Sequence, residues 1–117
     1  MAQERRTSEP LVADCMVRAV ADLFTHTWDP VVLAALRAEP LRRRDLRAAI
    51  GGVSDKVLTQ ALRRLTQAGL VERRALAGAP PRVDYATTDL GNSLVDGPIT
   101  SMGDWAVEHG HRLLPPE

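Results

Sequence analysis

The segment from residue 54 to residue 68 carries hydrogen-bond donors along one side of an amphipathic pattern. These donors are Lys56, Thr59, Gln60, Arg63, Arg64 and Gln67. Lysine and arginine pair with phosphates and with guanine, and glutamine can bond to the edge of adenine in the major groove of DNA. For an isolated segment an ordinary solvated helix face would be the better interpretation, because a run of charged side chains is usually just exposed to water. The elements on both sides of the segment decide between a DNA-binding face and a solvated face.

The same segment has the signals of a helix with defined ends. Ser54 is a candidate N-cap, because its hydroxyl can accept a hydrogen bond from an unpaired amide of the first turn. Gly69 suits the left-handed residue that closes a helix. One apolar face recurs at spacings of three and four residues and consists of Leu58, Ala61, Leu62 and Leu65. The sequence therefore predicts an amphipathic helix over residues 54–68.

A shorter helix is predicted directly before it. Residues 43–50 place Leu46, Ala49 and Ile50 on one side, and Gly51-Gly52 form a tight turn. Two short helices joined by a glycine-containing turn make a helix-turn-helix.

Two more helices are predicted upstream. Asp29-Pro30 starts one of them, with an acceptor at the cap and a proline in the first turn, and Glu39-Pro40 ends it. The other covers about residues 14–24 and is apolar over a wide arc. A stripe of this width favours burial on two sides, for instance against a core and a subunit interface.

Two alternating segments follow the glycine at position 69. Residues 70–76 and 83–87 alternate in polarity, and the residues between them are rich in glycine and proline. They predict a β-hairpin over about residues 70–87, which would be the wing of a winged helix-turn-helix. Arg82, beside the hairpin tip, could enter a minor groove or contact phosphate.

The remaining residues complete the predicted fold. Thr88 or Asp89 caps a last helical region, which Gly97-Pro98 should kink or break. This helix has nothing left to cover in a compact winged domain, so we expect it to pack with the first helix or with a second subunit. The fold class is mainly α with a small β-hairpin, over residues 13–112. Residues 1–12 and 113–117 are expected to be flexible.

Charge is distributed unevenly along the chain. The formal net charge is zero, but residues 42–82 contain ten basic and three acidic side chains. A polyanion responds to the local field rather than to the total charge. Arg42, Arg43 and Arg44 lie at the start of this basic span, and we expect them to position the protein on phosphates rather than to read bases.

Several other classes of protein are excluded by what the sequence lacks. It has one cysteine, so an intrachain disulfide framework is impossible. No apolar run would span a membrane, and residues 1–10 lack the apolar core of a signal peptide, so a cytoplasmic location is expected. No nucleophile elbow, phosphate loop or paired catalytic acid occurs, which argues against an enzyme and a cofactor. His26, His109 and His111 lack metal-site spacing, so no metal is expected.

Short motifs keep a characteristic order and spacing through about residues 13–110. They are Trp28 with Val31-Val32-Leu33, Asp45-Leu46, Val53 to Gln60, Leu62-Arg63-Arg64-Leu65, Gly69-Leu70-Val71 with Arg73, Pro81 to Tyr85, and Thr88-Asp89-Leu90-Gly91. In these motifs the sequence resembles the HxlR-type family of bacterial MarR-like transcriptional regulators. The resemblance implies a homodimeric winged helix-turn-helix that binds an inverted-repeat operator, more often as a repressor. It also implies N- and C-terminal dimerisation helices.

Two positions depart from the pattern of that family. Arg43 stands where an aromatic residue is usual, and Cys15-Met16 stands where Cys-Pro is usual. The resemblance implies a sensor of oxidants or electrophiles at Cys15, and a thiolate near a helix N-terminus is stabilised by the helix dipole. The alternative is a small apolar residue buried in the dimer interface. The neighbouring Asp14 and the lack of a second cysteine weaken the sensor interpretation.

These observations predict a DNA-binding regulator whose partners are a double-stranded operator, a second copy of the chain and a small-molecule effector or oxidant. DNA contacts are expected from Arg42, Arg43, Arg44, Ser54, Lys56, Thr59, Gln60, Arg63, Arg64 and Arg82. A hydrophobic ligand could lie near Phe24, Trp28, Met102 and Trp105. The alternative is a winged helix that serves as a protein-interaction or assembly module. Only a DNA binder should lose affinity steeply as salt rises.

Overall fold

The computed structural model describes residues 15–114 of the chain. Its helices and strands, in order, are α1 Cys15–Asp22, α2 Trp28–Ala38, β1 Leu41–Arg42, α3 Arg43–Ile50, α4 Asp55–Gln67, β2 Val71–Leu76, β3 Arg82–Thr87, α5 Asp89–Leu94, a π-helical turn Val95–Ile99, α6 Thr100–His109 and a 3-10 turn Gly110–Arg112. The predicted flexible segment 1–12 lies outside the described residues, as do residues 115–117 of the predicted tail.

The predicted helix-turn-helix is formed by α3 and α4. Gly51 and Gly52 have φ angles of 71° and 73°, which a glycine adopts without the steric penalty of a side chain. The hydroxyl of Ser54 accepts a hydrogen bond from the Val57 amide at 3.1 Å. Gly69 ends α4 with a φ of 80°. Both predicted ends of the helix are therefore confirmed.

Aliphatic side chains of α2, α3 and α4 form the core. Val32, Leu33 and Leu36 of α2 pack against Leu46 of α3 and the buried face of α4. All four apolar residues predicted for α4 are buried: Leu58, Ala61, Leu62 and Leu65. The core therefore fixes which side of α4 faces solvent.

The predicted start of α2 needs a correction at Asp29. The helix begins at Trp28 with Thr27 at the cap position, two residues earlier than predicted, and Asp29 lies in its first turn. Asp29 is 4% exposed, and its carboxylate accepts hydrogen bonds from Arg64. A guanidinium bonds a carboxylate more strongly than a backbone amide does, which accounts for the difference.

The sheet has one more strand than predicted. Its order is β1-β3-β2, and all pairs are antiparallel. The hairpin of β2 and β3 confirms the predicted wing. Strand β1 has only two residues, with Leu41 opposite Tyr85 and Arg42 opposite Asp84, and a strand this short leaves no alternation to detect in the sequence.

The last helical region continues through Gly97-Pro98, where a kink or a break was predicted. Thr88 caps it, since its hydroxyl accepts from the Gly91 amide at 3.1 Å. Pro98 lies inside a π-helical turn, where a wider turn accommodates the missing amide and the proline ring. The Thr100 hydroxyl donates to the Val95 carbonyl oxygen at 2.7 Å. Gly97-Pro98 therefore widens the helix without ending it.

The first and last helices expose apolar side chains. Neither α1 nor α6 contains a buried residue. The exposed set on these helices is Met16, Val17, Val20, Met102, Trp105 and Val107. None of the helices formed by residues 15–114 combines the length and apolar character needed to cross a lipid bilayer.

Candidate nucleic-acid interface

Four long polar side chains follow one line along the outer face of α4. They are Lys56, Gln60, Arg63 and Gln67, and all are exposed. Within residues 15–114 none of the four makes a side-chain hydrogen bond or ion pair. Gln67 was not among the expected contacts, although it lies seven residues, or two helical turns, after Gln60. The line is free to bind an external partner.

One flank of this line is occupied by Arg43. Its Nη2 atom donates to the Asp55 carbonyl oxygen at 2.8 Å and to the Thr59 hydroxyl. Its Nη1 atom lies 3.1 Å from the Asp55 carboxylate. The Thr59 hydroxyl in turn donates to the Asp55 carbonyl oxygen at 2.9 Å. Arg43 and Thr59, both expected to contact DNA, are thus bonded to each other at the start of α4.

The other flank carries Arg64, which the structure turns toward α2. Its Nε and Nη2 atoms donate to the two carboxylate oxygens of Asp29 at 2.8 and 2.7 Å. The hydrogen bonds to Asp29 raise the pKa of the Arg64 guanidinium above its usual value. Arg64 was expected to contact DNA; in the structure its pairing with a buried carboxylate also joins α4 to α2.

The residues before α4 form a basic cleft. A cavity of about 570 Å³ is lined by Arg43, Arg44, Arg47, Ala48 and Asp55. Arg44 is exposed, whereas the Nε atom of Arg42 lies 3.2 Å from the Asp45 carboxylate. The Ser54 hydroxyl serves as the helix cap. Of the expected contacts in this region, Arg44 therefore has the guanidinium that is most available.

The wing adds a basic side chain, Arg73, which belongs to one of the family motifs in the sequence but was not among the expected DNA contacts. Arg73 pairs with Tyr85 across the hairpin and lines a groove of about 260 Å³ together with Arg63, Gln67 and Thr59. Arg82 lies at the first residue of β3, and its Nε atom donates to Asp84 at 3.1 Å. Arg73 could have been recognised as a candidate contact from the pairing register of the hairpin, because this register places it on the side of the sheet that meets α4.

The four residues of the predicted ligand pocket differ in their exposure. Phe24 is half-buried after α1, Trp28 packs against the core, and Met102 and Trp105 are exposed on α6. A separate apolar cavity of about 290 Å³ contains none of these four residues. It is lined by Val20, Leu23, Ala68, Leu70, Leu90, Ser93, Leu94 and Pro98.

Cys15 is exposed at the first described residue of α1. The Nη2 atom of Arg18 donates to its Sγ atom at 3.6 Å. The predicted sensor cysteine is thus open to solvent in a single copy of the chain. Within residues 15–114, no three His, Cys, Asp or Glu side chains form a group able to hold a metal ion.

Comparison with known proteins identifies the family. A family model described as HxlR-like helix-turn-helix matches residues 23–113. The HTH-type transcriptional regulator YtfH of Escherichia coli is 36% identical over 105 residues, which cover 90% of this chain and 82% of YtfH. The reduced transcriptional regulator YodB from Bacillus subtilis superposes with a TM-score of 0.73 at 27% identity, covering 80% of this chain and 90% of YodB. Diamide-treated YodB gives a TM-score of 0.70 at 26% identity, covering 81% and 93%. The chain therefore belongs to the HxlR-like helix-turn-helix family, whose members are transcriptional regulators and not enzymes.

Proposed function

We propose that this regulator is a homodimeric repressor that binds an inverted-repeat operator through α4 and the wing formed by β2 and β3. The observation that carries the proposal is the exposed line of Lys56, Gln60, Arg63 and Gln67, which has no side-chain partner among residues 15–114, on a helix whose opposite face is buried. We call α4 the recognition helix from here on. A helix of this kind fits the major groove of B-DNA.

The residue types suggest a division of roles along the recognition helix. Gln60 can make two hydrogen bonds to adenine, whereas Lys56 and Arg63 can bind phosphate or guanine. Arg44 before the helix and Arg73 on the wing extend the positive charge to both sides. Contacts to phosphate from these outer residues would fix the register of the helix on the duplex.

The exposed apolar faces of α1 and α6 support a homodimer. Val107 is 88% exposed and Trp105 is 53% exposed in the single chain, and exposed apolar side chains that group on one surface mark interaction sites. Two copies related by a twofold axis would present two recognition helices. Successive major-groove sites on one face of a duplex lie about 34 Å apart, and the dimer must set this spacing.

We further propose control by thiol chemistry at Cys15 or by a small apolar ligand. Exposure of Cys15 supports the first route, as does the existence of YodB in reduced and diamide-treated forms. For the second route, the apolar cavity beside Leu23, Leu70 and Leu94 is a better candidate than the residues expected from sequence. Either thiol chemistry at Cys15 or ligand binding would change the position of the two wings relative to the dimerisation helices.

A DNA selection experiment tests the proposal. Fragments of the genome that carries the gene are bound to the purified protein, and the affinity of selected duplexes is measured by fluorescence anisotropy over a salt series. We expect one or a few inverted repeats to be enriched, and the affinity to fall steeply as salt rises. Absence of any enriched duplex, together with weak salt dependence, would favour a protein-interaction module instead.

Arg63→Ala supplies the specific control. We expect it to weaken binding by about 1–3 kcal/mol, because one base or phosphate contact is lost. Arg112→Ala removes the same charge beyond α6 and should leave the affinity unchanged. Equal effects of the two substitutions would mean that the DNA-binding face lies elsewhere.

A further inference from the structure

We infer that Arg43 is a positioning residue for DNA recognition: it acts through Asp55 and Thr59 of the recognition helix and makes no essential DNA contact of its own. The inference rests on the proposed function and deepens it. Arg43 begins α3, so the contact joins the first helix of the pair directly to the start of the second. It crosses the glycine turn between them.

Two of the three guanidinium nitrogens of Arg43 are bonded to acceptors within the protein. Nη2 donates to the Asp55 carbonyl oxygen at 2.8 Å and to the Thr59 hydroxyl, and Nη1 lies 3.1 Å from the Asp55 carboxylate. Three acceptors on the first two turns of the recognition helix are therefore held by one side chain. A fork of planar donors suits such a site, and the single ammonium of lysine would not reproduce it.

The charge of Asp55 explains why this contact matters for DNA. Asp55 is the single acidic residue of the recognition helix, and its side chain is 62% exposed. A carboxylate in the first turn stabilises a helix through the helix dipole, but next to a phosphate backbone it repels. Arg43 compensates for this charge, so the helix keeps its favourable first-turn aspartate at a smaller loss of DNA affinity.

The same contact withdraws Thr59 from base reading. Its hydroxyl has one donor hydrogen, and that hydrogen is used on the Asp55 carbonyl oxygen at 2.9 Å. The hydroxyl also accepts from Arg43. Thr59 is half-buried, whereas Lys56, Gln60 and Arg63 are exposed. Sequence discrimination therefore falls to Gln60 and its exposed neighbours.

A double-mutant cycle tests the inference. Arg43→Gln, Asp55→Asn and the double variant are compared with the wild-type protein on the selected operator duplex over a salt series. We expect Arg43→Gln to weaken binding at least tenfold and Asp55→Asn to leave it unchanged or slightly tighter. In the Asp55→Asn background, Arg43→Gln should weaken binding less than threefold, because the unpaired carboxylate is then absent.

A direct phosphate contact by Arg43 predicts different results. Arg43→Gln would then weaken binding equally in both backgrounds, and the slope of log affinity against log salt would fall by about 0.9 in each. Either result overturns the inference. Arg44→Gln is the matched control, because Arg44 is adjacent and exposed, and its effect should not depend on Asp55.

Thr59→Val tests the claim that Thr59 does not read bases. We expect its ranking of single-base operator variants to match that of the wild-type protein, whereas a changed preference at one base pair would make Thr59 a reader. Circular dichroism confirms that each variant is folded. If the wild-type protein selects no duplex, the proposed function fails; if it selects one and the cycle shows no coupling, only the role of Arg43 fails.

Discussion

Arg64 donates two hydrogen bonds, at 2.8 and 2.7 Å, to the carboxylate of Asp29 and so ties the recognition helix to the first turn of α2. Asp29 is 4% exposed. The preceding residue, Arg63, is exposed on the outer face. Two adjacent arginines thus have different surroundings, because one step along a helix turns the side chain by about 100°.

Substitution of these neighbours should separate stability from DNA binding. We expect Arg64→Gln to lower the free energy of unfolding by about 2 kcal/mol, because it leaves a buried carboxylate without its two donors. Arg63→Gln should change it by less than about 0.5 kcal/mol and weaken DNA binding instead. Urea denaturation measures the first quantity, and equal destabilisation by both variants would contradict the assignment.

Gly91 should not tolerate a side chain. A Cβ atom there would lie 2.2 Å from the carbonyl oxygen of Leu70, and this oxygen also accepts a hydrogen bond from the Thr88 amide at 3.1 Å. We expect Gly91→Ala to lower the free energy of unfolding by about 2 kcal/mol or more, because two backbone segments must move apart.

Gly103 in α6 is the matched control for Gly91. A Cβ atom there meets nothing within 4 Å, and alanine favours a helix over glycine by about 1 kcal/mol. Gly103→Ala should therefore leave the thermal midpoint unchanged or raise it. A similar fall for both variants would show that the close approach at Gly91 has no special importance.

The pair of Arg37 and Asp96 should make stability depend on pH in the acidic range. Hydrogen bonds from Arg37, at 2.9 Å each, hold the pKa of Asp96 below its usual value of 3.8. The unfolded chain keeps the usual value, so the pair stabilises the folded state above about pH 4 and loses this contribution as the pH falls through the lower folded pKa.

Asp96→Asn tests this dependence. The variant should have a lower urea midpoint than the wild-type protein at pH 7, and the difference should disappear on acidification below pH 4, within the range set by the lowered pKa of Asp96. The pair is exposed, so the difference is expected to be small and to shrink with salt. Asp104→Asn, an exposed acid of α6, should show no such difference. A gap that persists in acid would assign the effect to something other than the ion pair.

A charge on α6 should separate the proposed dimer. Val107 is 88% exposed in the single chain, and Val107→Asp would bury an unpaired carboxylate in the interface. We expect a monomer in sedimentation experiments and a large loss of operator affinity, because two half-sites are no longer bound together. Val31→Asp, at an exposed position of α2, should remain dimeric. A dimeric Val107→Asp protein would place the interface elsewhere.

Oxidation should control operator binding through Cys15. Diamide takes up two electrons and two protons as two Cys15 thiols, one from each protomer, form a disulfide. We expect operator affinity to fall after this treatment and to return on reduction, while Cys15→Ser should bind equally before and after. Unchanged affinity of the oxidised wild-type protein would leave Cys15 as a packing residue, and ligand control would then be the remaining route.

Much of the fold could be predicted from sequence because its signals are local. The cap at Ser54, the closing Gly69 and the leucines of α4 lie within 16 residues of one another, and periodicity and turn chemistry operate at that range. The hairpin follows from the same kind of pattern.

The features that could not be predicted from the sequence are contacts between residues that lie far apart in the chain. No periodicity relates Asp29 to Arg64, which are 35 residues apart. Taken alone, Asp29 looks like a helix cap and Arg64 like a cation that contacts DNA. Arg43 likewise reads as one more positive charge until the fold brings it to Asp55. The candidate site was thus predicted as a list of residue types, and only packing separated the exposed line from the side chains that hold it in place.

The widened turn at Val95–Ile99 also sets a direction. It holds one residue more than an α-helical turn, so every side chain beyond it is rotated by about 100° about the helix axis relative to an uninterrupted α-helix. The direction in which Trp105 and Val107 point is therefore set several residues earlier, at the π-helical turn that contains Gly97 and Pro98. In the proposed dimer, this direction would also affect the spacing between the two half-sites on a duplex.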